Sequence, residues 1–321
     1  MRRLTVQLLL LITTCLAAQS PTQDDLARQA WNCQASSNKD LPDLVECLTV
    51  GLPDDKEKVH ALAYWITYNI DYDVKMLRSG TIKANEDFLR NKRGVCSDYS
   101  KLFRSMCDLA DIECYLIDGY SKGVGYRAGR VPEKPDHAWN VVFIDNEPNL
   151  MDLTWASGAV DASNGKLKYV SRYEEKMILA DPAFFAERHL PADPRWQLTD
   201  TPITLERFIA NEGYAEMTEG LSPTQSYADS LAVFRQLDEY GRKDATWRSA
   251  YHFHPSHENL RIRVEELLNN ATHLSRGKRV EEDLVRAARY CQDAYRLAEL
   301  RTDWRKRKFY MSTAIQGIKY A

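Results

Sequence analysis

The hydrophobic positions in the middle of the chain follow a helical spacing and then a strand-like one. Between residues 96 and 110, apolar side chains recur three and four positions apart, as on one face of an α-helix. They are Tyr99, Leu102, Phe103, Met106, Leu109 and Ala110. Residues 112–118 and 137–144 are rich in β-formers and predict two strands, with a turn at 145–148 and a returning antiparallel strand at 149–155. The pattern therefore predicts an α+β core, with one helix packed on an antiparallel sheet.

Helical spacing also dominates both flanks of this core. Pro53-Asp54-Asp55 offers a helix start, and the apolar stripe that follows predicts a helix: Val59, Leu62, Trp65, Ile66 and Ile70. Two shorter helices are predicted upstream, at 24–31 and 41–48. From about Ser222 the chain reads as helical throughout, with predicted helices at 225–239, 257–273, 280–300 and 303–318. We therefore expect an all-helical region of about a hundred residues at the C-terminal end, comparable to a small domain.

The first residues have the pattern of a targeting segment. Arg2 and Arg3 precede a mostly apolar run from Leu4 to Leu16, which is too short to be a good membrane span. Small residues follow, so we predict signal-peptide cleavage near Ala17 or Ala18. A lipid on Cys15 is the alternative, although Thr14 before it matches a lipoprotein site poorly. We expect an exported protein, periplasmic, secreted or at the cell surface, with no integral membrane span after cleavage.

Composition narrows the classes of partner. The chain has 321 residues, 44% of them hydrophobic, and a net charge of −3. These values describe an ordinary folded protein and give no sign of a nucleic-acid or anionic-membrane partner. Cys33 and Cys47 lie close in sequence outside the core pattern, either as a disulfide pair or as two unpaired thiols. Cys107 and Cys114 fit a buried apolar role.

Cys96 differs from the other cysteines because it precedes the apolar stripe of its helix. Gly94 permits a tight backbone approach just before it. At the first turn of a helix, free N–H groups and a partial positive charge favour a thiolate and can receive an oxyanion. Cys96 is therefore a candidate nucleophile.

A base and its orienting group follow in the predicted hairpin. With the turn centred near Asn146, His137 and Asp152 lie close to the same end of the two strands. Cross-strand neighbours are close enough for a carboxylate to hold an imidazole, which fixes its tautomer and stabilises the imidazolium. Cysteine, histidine and aspartate together favour thiol-dependent acyl transfer over separate structural roles.

These motifs resemble the transglutaminase-like superfamily of papain-type thiol enzymes, in the branch that includes the kyphoscoliosis peptidase. The matching segments run in order through residues 56–208: Tyr64-Trp65-Ile66, Asn69-Ile70-Asp71-Tyr72-Asp73, Gly94-Val95-Cys96, Gly119-Tyr120-Ser121, His137-Ala138-Trp139-Asn140, Asp152-Leu153-Thr154-Trp155, His189-Leu190-Pro191 and Asp193-Pro194-Arg195-Trp196-Gln197-Leu198. The resemblance implies a helix-borne nucleophile at Cys96, a base at His137 and its orienter at Asp152. Candidates for the substrate cleft or for an oxyanion donor are Trp65, Tyr68, Trp139 and Trp155. His189 receives no role in the triad.

Four parts of the chain follow from these patterns. We predict a signal peptide at 1–18, an N-terminal helical segment at 19–55, a transglutaminase-like catalytic domain at 56–208 and a C-terminal helical region at 209–321. The favoured function is a cysteine peptidase or amidase acting on a protein or peptide. Protein-glutamine acyl transfer by the same triad and a non-catalytic peptide-binding module are the alternatives. No cofactor or metal is expected, and the C-terminal helices offer a surface for a partner protein.

Overall fold

The computed structural model describes residues 22–33, 40–79, 91–163, 165–210, 212–223, 228–276, 281–300, 308, 310–314 and 316. The predicted signal peptide lies outside these residues, as does most of the helix predicted at 303–318. Within the described part of the chain, no helix is both long enough and apolar enough to cross a membrane.

Along the chain, helices precede the strands of the central sheet and make up most of the segment that follows them. The α-helices are α1 (Gln23–Asn32), α2 (Leu41–Thr49), α3 (Asp55–Asn69), α4 (Val74–Ser79), α5 (Cys96–Leu109), α6 (Leu153–Ser157), α7 (Pro182–Ala186), α8 (Leu205–Ala210), α9 (Tyr214–Thr218), α10 (Ala228–Arg235), α11 (Glu239–Phe253), α12 (His257–Arg276) and α13 (Glu281–Glu299). The helix predicted at 225–239 corresponds to the shorter helix α10. The sequence did not predict α11, because its apolar residues are spread around the helix and form no clear stripe.

The strands form one antiparallel sheet and two small ribbons. They are β1 (Asp71–Tyr72), β2 (Arg93–Gly94), β3 (Cys114–Ser121), β4 (His137–Ile144), β5 (Glu147–Met151), β6 (Gly158–Asp161), β7 (Lys168–Ser171), β8 (Ile178–Ala180) and β9 (His189–Pro191). The sheet order is β8-β5-β4-β3-β9, while β1 pairs with β2 and β6 with β7. This architecture confirms the predicted α+β class with a helix-borne Cys96 on an antiparallel sheet.

The core forms where α3 and α5 pack together and α5 covers the sheet. The predicted α3 stripe is buried, including Trp65, and so is the α5 stripe from Tyr99 to Met106, including Phe103. Leu109, predicted on the same stripe, is 48% exposed at the end of α5. The Tyr99 hydroxyl donates a 2.7 Å hydrogen bond to the carbonyl of Ile70, so it joins α5 to the end of α3. Asn140 Nδ2 donates to the Ser100 carbonyl at 3.0 Å and fixes β4 against α5. These buried contacts set the distance between the start of α5 and the start of β4.

The hairpin that carries the predicted base and aspartate differs from expectation at its second strand. The turn narrows to Asp145 and Asn146, both with positive φ, which matches the twist of the flanking strands. The returning strand β5 ends at Met151 instead of continuing to Trp155. Asp152 breaks it, because its side chain accepts backbone N–H groups at the start of α6.

The N-terminal helices belong to the same core. A disulfide joins Cys33 after α1 to Cys47 on α2. Leu44 and Leu48 of α2 are fully buried among side chains of the central core. The boundary predicted near residue 55 therefore does not separate two hydrophobic cores.

The C-terminal helices contact the rest of the protein at several points, and two of them lie near the predicted site. Phe234 of α10 is buried in the main core, and Arg235 beside it donates from Nε to Glu113 Oε1 at 2.9 Å. Further along, His254 and Ser256 donate to the carbonyls of Pro132 and Glu133, at 3.1 and 2.8 Å. The second contact reaches the loop that leads from β3 to β4.

Candidate active site

Cys96 is the first residue of α5 and is half-buried. Its helix begins after Val95, whose N–H donates to Asp98 Oδ2 at 2.9 Å. The two-residue strand β2 precedes Cys96, and the apolar face of α5 packs in the core and fixes the helix. The thiol therefore lies at the N-terminal end of a fixed helix. The N–H groups of Asp98 and Tyr99 donate to the Val95 carbonyl, which leaves those of Cys96 and Ser97 for an anion.

His137 is the first residue of β4 and lies opposite Gly119 on β3. It is buried, and its Nε2 lies 2.7 Å from Asp152 Oδ2. The Cys96 side chain lies close enough to this ring to help raise the pKa of His137. Because Nε2 is occupied by Asp152, Nδ1 is the nitrogen available to the thiol. The structure thus brings together the three residues predicted as nucleophile, base and orienter.

Gly119 explains why β3 and β4 can approach at this point. A Cβ at this position would lie 2.2 Å from Trp139 Cη2 and 2.4 Å from the Leu190 carbonyl oxygen. Gly119 pairs with His137 on one side and with Pro191 of β9 on the other. Only glycine therefore fits between the strand of the base and the strand of His189.

Asp152 has no exposure to solvent and all of its oxygen atoms are engaged. Oδ1 accepts from the backbone N–H groups of Thr154 and Trp155 at 2.9 and 3.1 Å. Oδ2 accepts from His137 and, at 2.9 Å, lies against His189 Nε2. Sequence reasoning missed His189 because it lies on β9, far along the chain, and its following proline looked structural.

His137 and Asp152 each stabilise the charged form of the other. Burial lowers the pKa of His137, but Asp152 and Cys96 outweigh burial and raise that pKa to about 10. Burial would raise the pKa of Asp152, yet His137 and His189 hold it well below the usual range. The pKa of His189 is lowered because burial outweighs the attraction of Asp152. At neutral pH the arrangement is therefore a charged His137 on an ionised Asp152, with His189 neutral.

A cavity of about 740 Å³ opens beside His137. Trp155, 5.7 Å from the His137 ring, lines this cavity. Tyr72 at the end of β1 also lines it, and its phenol interacts electrostatically with Cys96. Burial, together with the charges of Cys96 and Asp152, raises the pKa of Tyr72, so its hydroxyl stays protonated and can donate a hydrogen bond.

The cleft wall differs from the predicted one at three other aromatic residues. Trp139 is buried behind His137, with ring centroids 5.9 Å apart. Trp65 is enclosed in the main core, while Tyr68 is 60% exposed and stacks on Tyr173. None of these three lines the cavity, because α3 turns the Trp65 side chain into the protein and the Tyr68 side chain outward.

His137, Asp152 and His189 also form a set of possible metal donors, since one ligand atom of each lies within 4.8 Å of the others. The two donor nitrogens already lie 2.7 and 2.9 Å from the shared oxygen, which are hydrogen-bond distances. A metal between them would need to replace both hydrogen bonds and would remove His137 from Asp152. We therefore interpret the cluster as a hydrogen-bonded network.

Comparison with known proteins defines the class. Residues 42–155, which include Cys96, His137 and Asp152, match the family described as the transglutaminase-like superfamily. The chain therefore contains a transglutaminase-like domain, as the motifs predicted. The human kyphoscoliosis peptidase is 36% identical over 181 residues, and the similarity supports the branch predicted from the sequence.

These similarities cover only parts of longer relatives. The alignment with the human protein spans 56% of this chain and 27% of that one. Hillarin from Drosophila melanogaster is 29% identical over 200 residues, which span 58% of this chain and 24% of hillarin. A solved structure described as a TGase shows 15% identity and a TM-score of 0.28, covering 50% of this chain and 39% of that chain. A likeness at that level carries no argument about function.

Proposed function

We propose that this protein is an exported thiol enzyme that cleaves a peptide or amide bond through an acyl-enzyme on Cys96. The observation that carries this proposal is the placement of Cys96 near His137, which is hydrogen-bonded to Asp152 and lines a cavity. Each group has the setting its role requires. The thiol lies at a helix start, the imidazole contacts it, and a buried carboxylate contacts the imidazole.

The first half of the reaction forms a thioester. The Cys96 thiolate attacks the carbonyl carbon of the scissile bond, and a tetrahedral oxyanion forms. His137 then gives its Nδ1 proton to the leaving nitrogen, the C–N bond breaks, and the amine departs. Asp152 stays ionised and stabilises the imidazolium before that transfer.

The oxyanion has two sources of hydrogen bonds on this chain. The first source is the backbone N–H groups of Cys96 and Ser97 at the start of α5, since those of Asp98 and Tyr99 donate to the Val95 carbonyl. The protonated hydroxyl of Tyr72 lies on the cavity wall and interacts with Cys96 from β1. Tyr72 is therefore the side-chain oxyanion donor in this proposal, in place of Trp65 or Tyr68, which were the candidates from the sequence.

The second half of the reaction favours water as the acceptor. The cavity wall carries the charged side chains of Lys122, Asp136, Arg172, Glu174, Lys176, Glu187 and Arg188. A wall with charges of both signs attracts water to the cavity that His137 lines. His137 removes a proton from that water, the thioester carbonyl is attacked, and Cys96 leaves as a thiolate with the acid as product.

Export has independent support from the cysteines. The Cys33–Cys47 disulfide is typical of an oxidising compartment. The segment predicted to direct export precedes it in the sequence. Cys96 is unpaired among the described cysteines, as the reaction requires.

Intact-protein mass spectrometry during turnover tests this function. The folded protein is incubated with a panel of peptides in ¹⁸O-water, with and without a primary amine, beside a Cys96→Ala variant. We expect an acyl adduct that maps to Cys96 and a product acid that carries ¹⁸O. An amide of the added amine as the main product would replace hydrolysis by acyl transfer. No adduct and no product from folded wild type would contradict the enzyme assignment and favour a peptide-binding module.

A further inference from the structure

Asp152 shares one oxygen atom between two histidines. Oδ2 lies 2.7 Å from His137 Nε2 and 2.9 Å from His189 Nε2, while Oδ1 is held by backbone N–H groups. We propose that His189 is a positioning residue of the active site, which holds the Asp152 carboxylate so that Oδ2 faces His137. This inference rests on the proposed function, because it concerns the same triad.

The two ring nitrogens of His189 compete for a single proton. Nε2 lies 2.9 Å from a charged carboxylate, and Nδ1 lies 3.3 Å from the neutral carbonyl of Phe185. A neutral imidazole has one N–H, and hydrogen bonds to charged acceptors are shorter and stronger than those to neutral ones. The proton therefore sits on Nε2, and His189 donates to Asp152.

The surroundings of His189 leave its ring little freedom. The residue is fully buried, and its ring stacks on Phe185 with centroids 4.0 Å apart and an interplanar angle of 18°. Trp155 and Trp139 contact other sides, at 4.5 and 5.3 Å. A ring held by three aromatic side chains presents its N–H in one direction.

The bond also connects distant parts of the sheet. His189 lies on β9, whereas Asp152 follows β5, and β4 and β3 lie between these strands. His137 begins β4, so the carboxylate is held from both sides of the strand that carries the base. Without His189, Oδ2 would have His137 as its one partner, while Oδ1 would still accept from the backbone of α6.

A constant donor matters because His137 changes charge during the reaction. When His137 gives its Nδ1 proton to the leaving group, its attraction for Asp152 weakens. His189 remains neutral, and its N–H contact to Oδ2 persists through that step. The carboxylate therefore keeps its direction until His137 takes up the next proton.

Titration of His137 in variants of His189 tests this role. The ¹⁵N signals of the His137 imidazole are followed against pH, together with the rate of Cys96 alkylation and the melting temperature. His189→Gln keeps an N–H donor of similar reach, and His189→Leu keeps a buried side chain without a donor. His60→Leu is the matched control, since His60 is a partly buried histidine that stacks on Tyr64 away from the triad.

We expect His189→Leu to lower the pKa of His137 by about one unit or more and, because a less stabilised imidazolium supports the thiolate less, to slow Cys96 alkylation. His189→Gln should keep both values within about threefold of wild type, and His60→Leu should leave both unchanged. The pKa falls because a loosely held carboxylate stabilises the imidazolium less. Unchanged values in a folded His189→Leu variant would show that His189 only packs.

Two further results keep the test decisive. If His189→Leu does not fold, His189→Asn replaces it, because its shorter amide cannot reach Asp152 as Gln does. Equal His137 titrations in the Gln and Asn variants would then overturn the role. If wild-type Cys96 reacts as an ordinary thiol while the His137 titration still depends on His189, the proposed reaction fails and the positioning role stands.

Discussion

At the residue scale, the site depends on Asp152, a buried carboxylate whose every acceptor position is used. Two backbone N–H groups and two imidazoles surround it. Four donors offset the cost of burying the charge, since a carboxylate with several N–H partners stays ionised far below its usual pKa. The charge is therefore available to the imidazolium of His137.

Replacing Asp152 by asparagine tests that charge. The amide can still accept the two backbone N–H groups, but its NH₂ would face the Nε2–H of His137 and impose the wrong tautomer. We expect turnover to fall roughly 10³-fold or more in Asp152→Asn, with a cooperative thermal transition retained. Steady-state kinetics and calorimetry on the same sample measure both. Unchanged turnover would remove Asp152 from the mechanism.

Tyr72 makes a prediction that separates oxyanion binding from thiol activation. In Tyr72→Phe, loss of the hydroxyl should lower turnover roughly 10²-fold, the effect of removing one oxyanion donor. Alkylation of Cys96 forms no oxyanion, so its rate should stay near wild type. Tyr68→Phe is the matched control, because Tyr68 lies outside the cavity. Equal turnover in both variants would exclude Tyr72 as the donor.

At the scale of elements, the meeting of β3, β4 and β9 sets the positions of both histidines. Gly119 is the point of closest approach, with Trp139 and the Leu190 carbonyl on either side. A side chain there would push apart the strands that carry His137 and His189. The geometry of the base therefore depends on a residue that has no chemistry of its own.

Gly119→Ala should destabilise the protein by about 1–3 kcal/mol through overpacking. It should also lower turnover, because β4 must shift relative to Asp152. Gly213→Ala is the control, since nothing lies within 4 Å of a Cβ at that position. Denaturant unfolding and kinetics of both variants give the comparison. A Gly119→Ala variant as stable as the Gly213→Ala variant would show that the strands can adjust.

The sequence predicted some of these elements and not others, for physical reasons. The α5 stripe and the β4 hairpin are local patterns, so Cys96 and His137 could be placed from periodicity alone. The end of β5 could not, because Asp152 captures backbone N–H groups and stops the strand. His189 lies next to Asp152 only because of the order of the strands in the sheet, and a local sequence pattern does not predict that order. Tyr72 follows the α3 stripe, and its place at the cavity depends on the short β1–β2 pairing.

At the scale of the whole molecule, the C-terminal helices make two kinds of contact. Helix α10 contributes Phe234 to the main core and Arg235 to an ion pair with Glu113. The segment between α11 and α12 holds the loop before β4 through Pro132 and Glu133. The first contact completes the core, while the second acts on the loop that leads to His137.

Two truncations separate these contributions. A chain ending at Ser222 loses α10 and exposes the apolar surface that Phe234 covers, so we expect it to be insoluble or unfolded. A chain ending at Leu237 keeps α10 and should fold, with altered turnover because the loop before β4 loses its two hydrogen bonds. Circular dichroism and kinetics distinguish them. Equal stability of the two chains would show that α10 is not part of the core.

The most direct test of the central claim is the pH dependence of Cys96 alkylation by iodoacetamide, in wild type and His137→Ala. The pKa of His137 is raised to about 10, so its imidazolium persists through neutral pH and is lost only as the pH approaches that value. We predict fast labelling of Cys96 at neutral pH with a plateau up to about pH 9–10, located by peptide mapping. His137→Ala should lose the fast neutral reaction. Slow labelling in both proteins, rising only near the pKa of an ordinary thiol at about 8.5, would contradict an activated Cys96–His137 pair.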